Sequence, residues 1–513
     1  MKSFRLVNYL LPDFGTLLSI AIFFGVLGLG PRMLNMDGDL GRHITVGKFI
    51  LENGQIPRVD YFSFTMPGES LVPHEWIAQV VFRLAHLLMG LDGVILLCAG
   101  LISITIYFIF IQSINRSFGV FIPIALTILG AGASSLHWLA RPHLFTFLFF
   151  ALWLWIIAQL KMKRFSFTWL MPVVMLIWVN THGAFIAGFV SWFTIGLGWL
   201  LERFLFHRDE GEISDQSVEV GRYLLLGGVS SFLVTFLNPA GIETWKTSIG
   251  YLQSRYLVGH TAEYLPPDFQ SPSAFPFLIM ILLLILFLGL RSNKISTSDL
   301  LLVTSWTGMS LISARNIPLF VVAAVPVLSG IISDWLKEPH PWIKRIAGIR
   351  IYDHLLAAMQ RGMRGYFWFP LAFVISVIIF LSGSKLDFFQ KGNRFLPEVF
   401  PVGAMDWIEK EEITGRIFNY FPWGGYILYR SWPERTVFID GQTDFYGESL
   451  TRQYEMVITA SPGWKEVLKS YQVEYVLIPP DLKLCDTLAL SGEWVMFYQD
   501  STALLWKQVL PPK

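Results

Sequence analysis

A chain of 513 residues that is 53% hydrophobic and only 15% charged, with mean hydropathy +0.52, is not an ordinary soluble protein, in which about a quarter of residues carry charge. Its 39 Lys+Arg stand against 38 Asp+Glu, a net charge of +1, so the total gives no reason to expect nucleic acid as a partner. The two cysteines, Cys98 in an apolar run and Cys485 near the C-terminus, suggest neither a disulfide framework nor a thiolate metal site.

Lys2 and Arg5 precede an apolar run from Phe14 to Gly30 that no small-residue cleavage site follows, so the segment reads as a retained first span. A span needs about 20 mostly apolar residues. That requirement marks candidates at 14–32, 92–113, 119–137, 143–160, 165–179, 183–203, 222–237, 273–290, 298–313, 317–333 and 367–383, roughly eleven helices. Glu75 to Leu88 reads as an amphipathic helix along the surface. An odd count places the termini on opposite sides. Loops assigned alternately put Lys2, Arg5, Arg116, Lys161, Lys163, Arg164, Arg203, Arg208, Arg291, Lys294, Lys337, Lys344, Arg345, Arg350, Arg361 and Arg364 in one set, expected to be cytoplasmic. The opposite short turns hold only Arg141 and Arg315, and the long loop 31–75 balances its basic residues with acidic ones. The expectation is therefore a cell-membrane protein with a cytoplasmic N-terminus, a membrane domain over 1–383 and an external soluble α/β domain over 384–513. In the latter, strands are expected at 416–418, 436–439 and 473–478, with helices near 402–412, 447–458 and 463–470.

In this topology the unusual polar residues gather on the external side, and ionisable groups at membrane-helix ends are a site hypothesis by default. Asp37-Gly38-Asp39 follows the first span. Two readings stand: a catalytic base at the membrane surface, or Asp39 capping the next helix while Asp37 is merely solvated. Glu75, in His74-Glu75-Trp76, either complements a helix dipole or faces the same cavity as Asp39, with His74, as a metal ligand or acceptor contact. Arg141, beside Pro142 and His143, and Arg315, beside Asn316, are phosphate-binding forks or interfacial anchors. Asn180 and His182 form a polar hairpin that either lines the cavity or is structural. Glu263 and Asp268 lie on a proline-stiffened loop that covers the cavity or is solvated, and Asp60 reads as a turn residue. In the C-terminal part, Phe421 to Tyr426 suits sugar stacking or packing, while Asp440 and Asp444 end a predicted strand, where α/β folds place ligands. There is no GxGxxG, P-loop or HExxH.

The acidic first external loop, the span count, the external arginines and the C-terminal α/β domain together resemble the GT-C superfamily. These are membrane glycosyltransferases that use polyprenyl-phosphate-linked sugars, and they include protein mannosyltransferases and lipid A aminoarabinose transferases. A bacterial branch is resembled in Asp39-Leu-Gly-Arg-His43, Gly54-Gln-Ile-Pro57, His74-Glu-Trp76, Arg141-Pro142 and Asn180-Thr-His-Gly183, and in Gly415 to Tyr426 and Phe438 to Gly447. The resemblance implies a GT-C-like fold, a first-loop aspartate that deprotonates the acceptor, and external arginines on the lipid phosphate. Asp39 or Asp37 would be the base, and Arg141 or Arg315 would hold the phosphate. His74, Glu75, His143, Asn180, His182, Glu263 and Asn316 complete the expected substrate contacts. Gly38 separates the acidic pair, which leaves open which acid is the base and whether both serve a divalent metal. The implied partners are a polyprenyl-phosphate sugar donor, a glycan, lipid or protein acceptor, and membrane lipids. Competing readings are a lipid or polysaccharide transporter or flippase and a non-catalytic cell-envelope scaffold. Against transport stand the lack of ionisable residues deep in most helices and of a convincing inverted repeat.

Overall fold

The computed structural model describes residues 8–206, 215–290, 295–337, 347–360, 362–382 and 393–509. The boundary expected at 383–384 and the basic residues Lys2, Arg5, Arg208, Arg291, Lys294, Lys344, Arg345 and Arg361 lie outside them. Hydrocarbon offers no partner to backbone N–H and C=O groups, so long apolar segments satisfy them internally as helices. A helix stands at every expected span. Among the described residues seven helices are long and apolar enough to cross a membrane, with Phe121–His137, Phe165–Trp178 and Trp368–Leu381 as shorter apolar ones. The molecule is a multi-pass membrane protein.

The helix Trp76–Asn115 contains two of the expected elements, because Met89 and Gly90 leave helical geometry and Gly90 takes φ 59, ψ −145. That region is open essentially to glycine alone. The limb before the break leaves Leu84, Leu87 and Leu88 exposed, as the surface-helix reading expects. The limb after it buries Val94 to Leu96, Ile102 and Ile106 in the bundle. Ile317–Lys337, despite Pro326, is the most enclosed span. Two indole donors are matched inside the bundle: Trp178 Nε1 donates to Thr146 Oγ1 at 2.8 Å and Trp306 Nε1 to Ser191 Oγ at 3.0 Å. By contrast Phe275–Leu290 exposes Ile279, Leu282, Ile285 and Leu286 to the lipid side.

The C-terminal part carries a four-stranded sheet of order β1-β2-β4-β3, with β1 Ile417–Asn419, β2 Tyr475–Ile478, β3 Trp494–Gln499 and β4 Leu504–Gln508. β1 and β2 are parallel, whereas β4 runs antiparallel to β2 and β3. Helices stand at Val402–Lys410, Thr443–Ile458 and Trp464–Ser470. The strand expected at 436–439 is not part of the sheet. Its backbone pairs instead with the first loop, where Phe64 N donates to Val437 O at 3.1 Å and Val437 N to Phe62 O at 3.0 Å. Asn419 holds the other side through Phe438 N and Ile439 O, both at 2.9 Å. The hairpin β3–β4 was not anticipated, because β3 is an edge strand whose Val495, Met496 and Phe497 are all exposed, which erases the alternation that marks a half-buried strand.

Candidate active site

Two structural units build the site. The first loop leaves the Phe14–Gly28 span through a short helix, Gly30–Asn35, and reaches Asp37 as the chain turns into the helix Leu40–Asn53. Met33 O accepts from Ala140 N at 3.4 Å, which brings the 137–142 turn alongside. Arg141 therefore meets the acidic motif directly. Its Nη2 donates to Asp37 Oδ1 at 2.6 Å and lies 2.7 Å from Asp39 Oδ2, while its Nε pairs with Asp37 Oδ2. Asp39 stands at the helix N-cap position, yet its side chain caps nothing. Asp37 is not solvated either: it is buried, and its Oδ1 accepts from Asp39 N at 3.0 Å. The capping-and-solvation reading is thereby corrected. Arg141 wins both carboxylates because a guanidinium offers a charge-assisted fork where a helix N–H offers one neutral donor.

The second arginine joins through Glu263. Glu263 Oε1 lies 3.2 Å from Arg141 Nη1 and 3.4 Å from Arg315 Nη1, so one carboxylate oxygen holds two guanidinium groups. Arg315 also donates to the Tyr264 hydroxyl, covers the Tyr264 ring at 4.9 Å, and reaches His182 Nε2 at 3.1 Å. Loop 261–265 is fixed beneath it, since Ala314 N donates to Leu265 O at 2.9 Å and Ser313 Oγ to Glu263 O at 3.3 Å. Asp268 stays out of the site, exposed and accepting from Gln270 N in its own turn.

Beside this cluster lies a pocket of histidines around Glu75. Glu75 is within 3.8 Å of His43 Nδ1 and His182 Nε2 and within 3.9 Å of His74 Nε2, while His74 Nδ1 is 3.9 Å from Asp444. These separations exceed hydrogen-bond reach. Glu75 makes no cap hydrogen bond. Among the described residues no set of three or more His, Cys, Asp or Glu side chains is arranged to hold a metal. Other expected contacts are tied into the scaffold. His143 Nε2 is 2.6 Å from His137 O. Asn180 Oδ1 accepts from Trp76 Nε1 at 2.7 Å and Asn238 Nδ2 at 3.1 Å. Asn316 Nδ2 donates to Met309 O at 3.0 Å. His182 does both jobs, since its Nδ1 is 2.8 Å from Thr146 Oγ1 while its Nε2 faces Arg315. Asp60 is the turn residue expected, accepting from Phe62 N and Ser63 N.

The electrostatics separate the carboxylates. Desolvation, with Asp37, Asp440 and Glu263 adding negative charge, pushes Asp39 up to about 7 against the pull of Arg141. Glu263 is also desolvated, but Arg315 and Arg141 hold it down at about 2. Burial raises Glu75 above the usual carboxylate range and lowers His43 far below the ordinary imidazole value, helped by Arg141 and Arg42. Asp39 can thus exchange a proton near physiological pH.

Sequence reasoning missed Arg42, which counted only as one basic residue in a balanced loop. Its side chain is 2% exposed and pairs with Asp440, 0% exposed, and with Gln442. The C-terminal segment thereby forms a wall of the same site. A clue was present in the glycines: a Cβ on Gly38 would strike Pro422 O, one on Gly41 would strike Gly425 O, and one on Gly441 would overlap the Asp39 carboxylate.

No family model matches this chain, and no curated protein matches it in sequence. Solved structures do. An apo oligosaccharyltransferase from Archaeoglobus fulgidus superposes with TM-score 0.54 at 11% identity, covering 91% of this chain and 69% of its own. ArnT from Cupriavidus metallidurans, bound to undecaprenyl phosphate, matches at TM-score 0.49 and 15% identity, covering 97% of this chain and 99% of its own. The fold is GT-C-like, as the sequence resemblance implies.

Proposed function

We propose that the protein is an integral membrane glycosyltransferase that moves a sugar from a polyprenyl-phosphate donor to an acceptor at the external face of the membrane, with inversion. The observation that carries this reading is the Asp39 carboxylate, partly exposed, pushed up to about 7 and lying 2.7 Å from Arg141 in a cluster that also contains Arg315. A base poised near working pH is what proton removal from an acceptor hydroxyl or amine needs. The fold shared with an oligosaccharyltransferase supports the same reading.

Asp39 takes the acceptor proton as the acceptor attacks the anomeric carbon, and the lipid phosphate departs with the bonding electrons. Phosphate is a good leaving group, so no general acid is required. Arg141 and Arg315 meet the charge that grows on it. In the resting protein Glu263 keeps both guanidinium groups gathered at one oxygen. An arriving phosphate exchanges for Glu263 with little rearrangement, since it presents the same kind of acceptor to the same forks. Asp37 is a fixed counter-ion: buried and held by two donors of Arg141, it orients that side chain. His74, Glu75 and Asp444, which gather beside one another, contact the acceptor or the sugar.

The test is sugar transfer from a panel of polyprenyl-phosphate sugars by the purified protein, beside Asp39→Asn. The expected result is turnover that the substitution lowers by at least a thousandfold while the lipid phosphate still binds. Equal turnover in both proteins removes Asp39 from the role. Tight lipid-phosphate binding with no turnover on any donor moves the assignment to transport or scaffolding.

A further inference from the structure

Gly441 needs an explanation that backbone conformation does not supply. It is not among the residues with positive φ, so nothing in its own geometry demands glycine. What demands it is contact: a side chain there would occupy the place of the Asp39 carboxylate. The neighbours are built the same way. Gly424 lies against Ile439 O and the Asp440 backbone, and Gly425 against Gly38 O, again without positive φ. The acidic motif and the C-terminal segment therefore meet backbone to backbone.

That segment is held from behind by a buried ion pair. Arg42 donates to Asp440 and Gln442, and its guanidinium lies 5.2 Å from the Phe62 ring centroid. Asp440 also accepts from Tyr446 Oη at 3.1 Å and from Gln442 N at 2.9 Å. Buried charges paired in this way act as rigid spacers, because moving either one leaves an unpaired charge. Arg42 and Asp39 belong to the same turn of chain, so the pair sets how closely Gly441 can approach Asp39.

We propose that Asp440-Gly441-Gln442 is a positioning element of the transfer site, which by carrying no side chain at Gly441 leaves the Asp39 carboxylate its place against Arg141, and which is itself fixed by Arg42. The inference rests on the reading of Asp39 as the base. The charged groups facing Asp39 are Arg141, Asp37, Asp440 and Glu263. With Gly441 replaced, the carboxylate loses that place and its contact with Arg141, and relief of desolvation, the larger cause, outweighs the lost pull of Arg141 and lowers its proton affinity.

The experiment follows labelling of Asp39 by a water-soluble carbodiimide and an amine in the full-length protein, read by mass spectrometry across pH, for wild type, Gly441→Ala and Gln442→Ala. Gly441→Ala is expected to label at least threefold faster at Asp39 and to shift the midpoint downward by at least half a pH unit. Labelling of the exposed Glu243 should not change. Gln442→Ala, which removes one of the two side-chain anchors of Arg42, moves both readings the same way by a smaller amount and carries the test if the alanine at 441 prevents folding. Rates and midpoints coincident with wild type overturn the proposal. Sugar transfer measured on the same preparations separates the two claims: a labelling shift in a protein whose wild type transfers no sugar removes the transferase reading and leaves the positioning of Asp39 standing.

Discussion

At the scale of single residues, the proton on Asp39 decides the pH behaviour. As the proposed base Asp39 is competent only when deprotonated, so kcat is expected to fall about tenfold per pH unit below the value of about 7 that desolvation imposes. A rate profile of transfer between pH 5 and 9 checks this. The stability linkage runs oppositely. Unfolded Asp39 releases its proton near 3.8 and folded Asp39 near 7, so the folded state binds the extra proton between those values, and this residue's contribution to stability declines as pH rises through that window. Glu263 behaves in the reverse sense: its folded value of about 2 lies below the ordinary 4.5, so its contribution is present above 4.5 and lost as pH falls toward 2. A second residue-scale prediction concerns Asp440→Asn. It leaves the buried Arg42 without its charge partner and is expected to cost roughly 3–5 kcal/mol, read as a lowered thermal midpoint in detergent. The sequence disclosed Asp37, Asp39, Arg141, Glu263 and Arg315 as candidates because ionisable residues at the ends of apolar runs are rare enough to notice. It did not disclose which of them touch. Arg42 and Asp440 were invisible as a pair, since nothing local in a chain marks two charges 398 positions apart as neighbours.

At the scale of elements, hydropathy located the helices because lipid enforces a simple rule, and it failed where that rule stops. The segment Thr436 to Ile439 has the apolar character of a buried strand, and its residues are largely buried, but burial says nothing of which backbone supplies the hydrogen bonds. Here they come from Phe62, Phe64 and Asn419. The break at Met89–Gly90, by contrast, falls between the expected surface helix ending at Leu88 and the expected span from 92. It is a testable hinge between a surface limb and a span: no atom lies within 4 Å of a Cβ built on Gly90, so Gly90→Ala meets only backbone strain. The expected destabilisation is about 1–3 kcal/mol, again read by thermal unfolding. Changing Gly25, which is helical and equally open, to alanine should be neutral or slightly stabilising in the same assay.

At the scale of the whole molecule, the arrangement of charges makes a claim about sidedness. Arg116, Lys161 and Asp299 form one ion cluster, with Arg116 Nη1 2.8 Å and Lys161 Nζ 3.4 Å from Asp299. All three stand at the ends of helices opposite to those that carry Arg141 and Arg315. If basic loops face the cytoplasm, reporter fusions after Lys163 and after Lys391 report opposite sides of the membrane. Agreement between the two reporters overturns the orientation and with it the external placement of the site. The GT-C-like architecture was legible from the sequence as an architecture, whereas the union of the first loop with the last part of the chain was not, because composition alone separates the two stretches.

The glycine-lined seam between those stretches has a consequence for how the protein comes into being. A ribosome delivers Asp37 and Asp39 more than four hundred positions before Asp440 and Gly441. Until Asp440 and Gly441 are made, the acidic turn has Arg141 for company but no wall behind it. Contacts of such separation form late and slowly. A chain interrupted between Leu381 and Asp440 therefore carries the described apolar helices without the contacts that complete the proposed site.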